Sequence, residues 1–136
     1  LIHVMRHGTP AQAACVRHAI ESGGRDELPK VLAAIQETGA LIVPVIVIFE
    51  VFKYLLRTHG EKEAHNVVVA MQQSAVVDID TSLALAAARI SRDLGLAMAD
   101  SLILATARAQ GATLWTQDED FAGLADVRYF AKAKSA

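Results

Sequence analysis

The sequence predicts an α/β fold in which helices cover a mostly parallel sheet, and three observations support this prediction. The short apolar run at residues 41–43 is typical of a buried parallel strand. Strand patterns alternate with helical patterns along the chain, as in strand–helix–strand units. Hydrophobic residues make up 53% of the 136 residues and aromatic residues only 5%, so that aliphatic side chains must form the core. This length predicts one domain spanning residues 1–136.

The N-terminal quarter has the weakest pattern. Residues 1–5 are compatible with a short strand, and residues 11–20 with a helix. A clearer helix is predicted at 28–38, where apolar residues recur at helical spacing. Gly39 follows it at the position of a C-terminal cap.

The second strand and the helix after it contain the first candidate site residue. Pro44 ends the strand and suits the first turn of a helix, which is predicted to span 45–59. Glu50, Lys53 and Arg57 are spaced i, i+3, i+7 and form one polar stripe on an otherwise apolar helix.

The remaining elements continue the alternation to the last strand. Asp80 or Thr81 is expected to cap one of the helices, which Gly95 then ends. In order, the predicted elements are a helix at 61–73, a strand at 76–80, helices at 82–94 and 99–110, and strands at 112–116 and 127–130.

Composition excludes several classes of protein. The net charge is −2, so the chain does not bind nucleic acid through overall basicity. Cys15 is the only cysteine, which rules out an internal disulfide and favours the cytoplasm. No apolar run reaches membrane-spanning length, and the N-terminus does not resemble a signal peptide.

Acidic and hydroxyl side chains cluster where predicted elements change type. Asp100 begins a helix, whereas Thr116 ends the apolar strand at 112–116, and Asp118 and Asp120 follow that strand. The carboxyl ends of parallel strands meet at one edge of a sheet, where ligands bind, and Glu50 can lean toward the same edge. Gathered carboxylates repel one another, so the pattern indicates a cation site.

Oxygen ligands of this kind favour Mg²⁺ or Mn²⁺, which support hydrolysis of phosphodiesters. The five histidines lack zinc-binding spacing, no glycine-rich phosphate loop is present, and Ser101 has no evident base partner.

Each candidate also has a purely structural interpretation. Glu50 can pair with Lys53 or Lys62 on a solvated helix face, and Asp100 can be an acid favoured by the helix dipole. The aspartates after the strand can be turn residues. Lys53 and Arg57 can be substrate contacts, although a solvated face is the simpler interpretation. The case for a site therefore depends on the acids as an ordered set.

Three segments together resemble the conserved blocks of PIN domains, and in particular VapC toxins of toxin–antitoxin pairs. The first is Val43-Pro44 followed by Phe49-Glu50-Val51, with the acid on a helix after an apolar strand. The second is Ala99-Asp100-Ser101-Leu102-Ile103-Leu104-Ala105. The third is Leu114-Trp115-Thr116-Gln117-Asp118-Glu119-Asp120-Phe121. Their order and spacing match over roughly residues 28–130.

The resemblance implies a three-layer α/β/α fold and a Mg²⁺- or Mn²⁺-dependent ribonuclease that cleaves RNA. It also implies a homodimer and a cognate VapB-like antitoxin that blocks the site. By position, Glu50, Asp100 and Asp118 match the metal-binding acids, and Asp120 matches a supporting acid. Thr116 matches a hydroxyl that hydrogen-bonds within the site.

The start of the chain departs from the family pattern, which has an apolar strand ending in an aspartate. The first twenty residues contain no Asp or Glu, and the first acid is Glu21, so residues 1–25 are atypical. Three explanations are open: a degenerate domain, an altered, truncated or misframed start, or another group that completes the site. The alternative function is therefore an inactive PIN domain that binds an antitoxin or RNA. A third alternative is an α/β domain with purely structural acids.

Overall fold

The computed structural model describes residues 3–5, 41–116 and 118–129, with the backbone alone for 3–5, 41 and 115. These ranges contain five strands, four α-helices and a 3-10 helix, which confirms the predicted α/β class. In chain order they are β1 (His3–Met5), β2 (Leu41–Pro44), α1 (Val45–Thr58), α2 (Glu61–Met71), β3 (Ala75–Val77), α3 (Thr81–Leu94), α4 (Met98–Ala109), β4 (Thr113–Thr116), the 3-10 helix (Glu119–Phe121) and β5 (Val127–Tyr129). The helices predicted at 11–20 and 28–38, and Cys15, lie outside the described residues.

The strands form one sheet in the order β3-β2-β1-β4-β5. β2 is parallel to β3, and β4 is parallel to β5. β1 is antiparallel to both of its neighbours, with Val4 opposite Ile42 and Leu114. Four strands therefore share one direction, which confirms the mostly parallel sheet. The carboxyl ends of those four strands and the amino end of β1 lie at the same edge.

Helix boundaries follow the sequence features that predicted them. The Asp80 side chain accepts a 2.8 Å hydrogen bond from the Leu83 N–H and caps α3. Gly95 ends α3 with φ 70°, a left-handed conformation that glycine adopts without strain. The strand predicted at 76–80 ends earlier, at Val77, because Asp80 serves as the cap and the chain leaves the sheet before it.

α4 lies deepest in the fold. Every residue from 101 to 107 is buried, and α4 contacts β1, β2 and β4 as well as α1 and α3. Ile103 and Leu104 are fully buried, and each such side chain stabilises the fold by about 1.5–3 kcal/mol. Leu83 and Ala87 of α3 pack against Leu102 and Ala105 of α4. This buried helix therefore fixes the position of the residues in its first turn.

Phe121 anchors the other segment near the carboxyl edge. Its side chain is fully buried and belongs to the main core cluster together with Leu114 of β4 and Val47, Val51 and Leu55 of α1. Fixing Phe121 in the core also fixes the short acidic turn that precedes it. Among the described helices, none combines the length and apolar character needed to cross a membrane.

Candidate metal centre

Asp100 stands in the first turn of α4, where the buried helix emerges at the edge of the fold. Its side chain is half-buried, whereas Ser101 beside it is almost fully buried. The hydroxyls of Ser91 and Ser101 both donate to the carbonyl oxygen of Leu96, over 2.8 Å and 3.2 Å. These two bonds tie the end of α3 to the start of α4, and they hold the turn from which Asp100 projects.

The Ser101 hydroxyl therefore donates its hydrogen bond to a backbone carbonyl. The role of Ser91 was not predicted. Its sequence position, in the last turn of a helix before Gly95, is one where a hydroxyl can bond to the following loop, but the partner carbonyl depends on tertiary geometry.

Asp118 is held by hydrogen bonds on both sides. Its backbone N–H donates to the buried hydroxyl of Thr116 over 2.9 Å. Its carboxylate Oδ1 accepts a 3.0 Å bond from the backbone N–H of Asp120, which caps the 3-10 helix. The Phe121 N–H also donates to the Asp118 carbonyl over 3.2 Å. Thr116 at the end of β4 and the aspartates Asp118 and Asp120 after it therefore form one ordered turn.

The structure brings Asp100, Asp118 and Asp120 together. One carboxylate oxygen from each lies within 4.8 Å of the other two, and no other cluster of potential ligands of this kind is found among the described residues. Mg²⁺ binds oxygens at about 2.1 Å, so two oxygens on one ion lie at most about 4.2 Å apart. The three acids are close to the spacing that a shared hard cation needs.

The pKa of Asp100 reflects this crowding. Burial, followed by the charges of Asp118, Asp120 and Glu50, raises the pKa of Asp100 from 3.8 to about 6. Bringing these groups together without a counterion therefore disfavours the ionised form of Asp100. A bound divalent cation reverses that effect, because it attracts the same carboxylates that repel one another. The donor set fits a hard metal ion.

Glu50 approaches the cluster from α1 but lies outside the group of three. It is half-buried, and burial raises the pKa of its carboxyl, an effect that the positive charge of Lys53 opposes. Its own charge contributes to the raised pKa of Asp100, although it ranks behind those of Asp118 and Asp120. The predicted acids thus converge. Three of them present oxygens within 4.8 Å of one another, and Glu50 lies outside that group.

Comparisons with known proteins agree with this fold. A family model described as "PIN domain" matches residues 14–127. A chain of a toxin–antitoxin complex from Klebsiella pneumoniae superposes with a TM-score of 0.65 and 22% sequence identity. The superposition covers 86% of this chain and 94% of that one, and at this identity the likeness shows a shared fold.

Two curated proteins match over a shorter stretch. The octaprenyl diphosphate synthases of Escherichia coli (strain K12) and Shigella flexneri are each 38% identical over 73 residues, or 53% of this chain. The chain spans about a fifth of those synthases, since the match covers 19% of their length. A match of this extent does not transfer the activity of the whole synthase.

Proposed function

This chain belongs to the PIN domain family, and we propose that it is a metal-dependent endoribonuclease, the toxin of a VapBC-like toxin–antitoxin pair. The observation that best supports this proposal is the meeting of Asp100, Asp118 and Asp120 within 4.8 Å at the carboxyl edge of the sheet. A hydrolase that cleaves an anionic phosphodiester needs a centre of positive charge, and three clustered carboxylates are suited to hold one.

In this proposal Asp100, Asp118 and Asp120 hold Mg²⁺ or Mn²⁺, and Glu50 adds a fourth carboxylate from α1. The cation, when bound, supplies charge neutralisation at the phosphate and lowers the pKa of a water molecule. The Thr116 hydroxyl orients Asp118 by accepting a hydrogen bond from the backbone N–H of Asp118. The Ser91 and Ser101 hydroxyls fix the turn that presents Asp100. The chain's own contribution is therefore to hold and orient the acids.

The direct test is cleavage of single-stranded RNA by the purified chain with Mn²⁺, compared with the Asp100→Asn variant. We expect the variant to lose at least 100-fold in rate, because the acids act as a unit. Asp78→Asn removes an exposed acid outside the cluster and is the matched control. Equal rates for Asp100→Asn and the unaltered chain would rule out the proposed role of the cluster.

The proposal also includes a small antitoxin and a homodimer in the cytoplasm. The Klebsiella pneumoniae chain of similar fold belongs to a toxin–antitoxin complex, which supports the first point by analogy of fold. Exposed large apolar side chains offer contact area for both partners, and examples are Val69, Leu94 and Met98. Light scattering of the purified chain, alone and with the product of any adjacent short gene, measures both assemblies.

A second candidate is a degenerate PIN domain that binds an antitoxin or RNA without cleaving it. The absence of any acid from the first twenty residues favours it, because the family pattern places one metal-binding aspartate there. Calorimetric titration with Mn²⁺ separates the two candidates. Micromolar binding that Asp100→Asn abolishes supports the nuclease, whereas no measurable binding supports the degenerate domain.

A further inference from the structure

An exposed aromatic ring stands next to Glu50 in the sequence of α1. Phe49 directly precedes Glu50, and its side chain is 59% exposed. The Lys53 ammonium lies over its ring, with Nζ 5.9 Å from the ring centroid. An exposed aromatic face with an adjacent cation is the combination on which unpaired bases stack in proteins that bind single strands.

Two exposed cations extend from this point along α1. Lys53 and Arg57 lie three and seven residues after Glu50, so that they share its side of the helix. At about 1.5 Å of rise per residue they stand about 4.5 Å and 10.5 Å farther along the helix axis. In the described part of the chain neither is in a salt bridge, and the Arg57 guanidinium lies 5.7 Å from the Tyr54 ring centroid.

The charge of the site gives these cations a function. Glu50, Asp100, Asp118 and Asp120 together contribute four negative charges when ionised, so one divalent cation leaves the cluster at about −2. The chain as a whole is also at −2, and its bulk charge cannot attract a polyanion. An RNA strand that reaches this cluster needs local cations. The charge of Lys53 acts on Glu50, and Arg57 continues the same side of α1.

We propose that Phe49, Lys53 and Arg57 form a binding track for single-stranded RNA that leads into the acidic cluster. One unpaired base stacks on Phe49, and the phosphates next to it contact Lys53 and Arg57. The inference rests on the proposed ribonuclease function and adds to it the residues that bind the RNA strand and the path that the strand takes. A base within a duplex cannot lie flat on Phe49, so the track selects unpaired RNA.

Binding, measured apart from cleavage, tests the track. A fluorescein-labelled single-stranded 12-nucleotide RNA is titrated in EDTA, and its anisotropy gives Kd for the unaltered chain and for Phe49 variants. We expect Phe49→Ala and Phe49→Leu to weaken binding by about 5- to 150-fold, the range for loss of one stacked base. Phe49→Tyr keeps an aromatic ring and should bind as the unaltered chain does.

Salt dependence tests the two cations. Lys53→Gln and Arg57→Gln should each reduce the slope of log Kd against log salt concentration by about 0.7, the value for one phosphate contact on a single strand. Matched controls come from the exposed face of α3. Leu85→Ala removes an apolar side chain that is 54% exposed, and Arg89→Gln removes an exposed cation.

The outcomes separate the track from the nuclease. If Phe49→Leu binds RNA as tightly as Leu85→Ala does, the ring is not a stacking platform and the track is overturned. An apolar surface for a protein partner gives that same result, because leucine preserves apolar contact without stacking. If the Phe49 variants weaken binding while the unaltered chain fails to cut RNA with Mn²⁺, the track stands and the proposed nuclease fails. If cleavage depends on Asp100 while the Phe49 variants bind RNA as the unaltered chain does, the proposed nuclease stands and the track fails.

Discussion

The buried hydroxyl of Thr116 accepts a 2.9 Å hydrogen bond from the backbone N–H of Asp118. Asp118 in turn accepts a 3.0 Å bond at Oδ1 from the N–H of Asp120. Three residues of the proposed site are thus linked through the backbone of a single turn. The acidic end of β4 is an ordered structure in which each residue sets the position of the next.

Thr116→Val should disturb this turn while leaving the volume of the side chain at position 116 nearly unchanged. The Asp118 N–H would lose its acceptor, and we expect a loss of about 1 kcal/mol in the free energy of unfolding, measured by urea denaturation. Mn²⁺ affinity, measured by calorimetry, should fall by about 10- to 100-fold, as is usual when a group that orients a metal ligand is removed. Thr116→Ser keeps the acceptor and should retain affinity. Unchanged Mn²⁺ affinity in Thr116→Val would show that the hydroxyl does not orient Asp118.

The raised pKa of Asp100 predicts an unusual dependence of stability on pH in the absence of metal. Its pKa is about 6 in the folded chain, against 3.8 for an unperturbed aspartate. Between these values the folded state binds more protons than the unfolded state, so this group makes stability fall as pH rises from about 4 to 6. The contribution is fully present below pH 3.8 and is lost above pH 6.

Thermal unfolding in EDTA across this range, for the unaltered chain and Asp100→Asn, isolates the effect. The difference in Tm between the two should grow in favour of Asp100→Asn as pH rises, because asparagine removes the charge that the other acids repel. Asp78→Asn is the control for removal of an exposed acid. A difference that is constant between pH 4 and 7 would contradict a raised pKa at Asp100.

The cap of α3 provides a prediction about the scaffold that does not involve the site. Asp80→Ala removes the acceptor of the 2.8 Å bond from the Leu83 N–H, and it should lower the free energy of unfolding by about 0.5–2 kcal/mol. Asp78→Ala, two residues earlier and exposed, makes no such bond in the described structure and should change stability by less. Denaturant titration of both variants measures the comparison, and equal losses would show that Asp80 is not the effective cap.

Much of this architecture was predictable because local rules agree with the tertiary fold. Gly95 marks the end of α3 where it was predicted, and the apolar run before Pro44 is a buried strand. The antiparallel orientation of β1 departs from the sequence pattern, because strands that alternate with helices are expected to pair in parallel. The segment between β1 and β2 lies outside the described residues.

The candidate site was predictable as a set of residues but not as a geometry. The order of acids after strands and at helix starts indicated which carboxylates meet, because those positions share one edge of a parallel sheet. Their relative closeness depends on side-chain packing, which no local pattern encodes. The sequence therefore could not place Glu50 outside the group formed by Asp100, Asp118 and Asp120. The hydrogen bonds from Ser91 and Ser101 to the Leu96 carbonyl oxygen were not predicted, for the same reason.

The border position of Glu50 leads to a prediction that ranks the acids. Burial is the largest cause of the raised pKa of Asp100, and the charge of Asp118 ranks ahead of that of Glu50. Glu50→Gln should therefore lower the pKa of Asp100 by less than Asp118→Asn does. NMR titration of the carboxyl carbons in metal-free protein measures both shifts.

Mn²⁺ affinity should follow the same order, because a ligand from the group of three contributes more than an acid at its edge. Glu61→Gln, an exposed change on α2, is the control. A larger effect of Glu50→Gln than of Asp118→Asn, in either measurement, would place Glu50 at the centre of the site and make α1 its principal support.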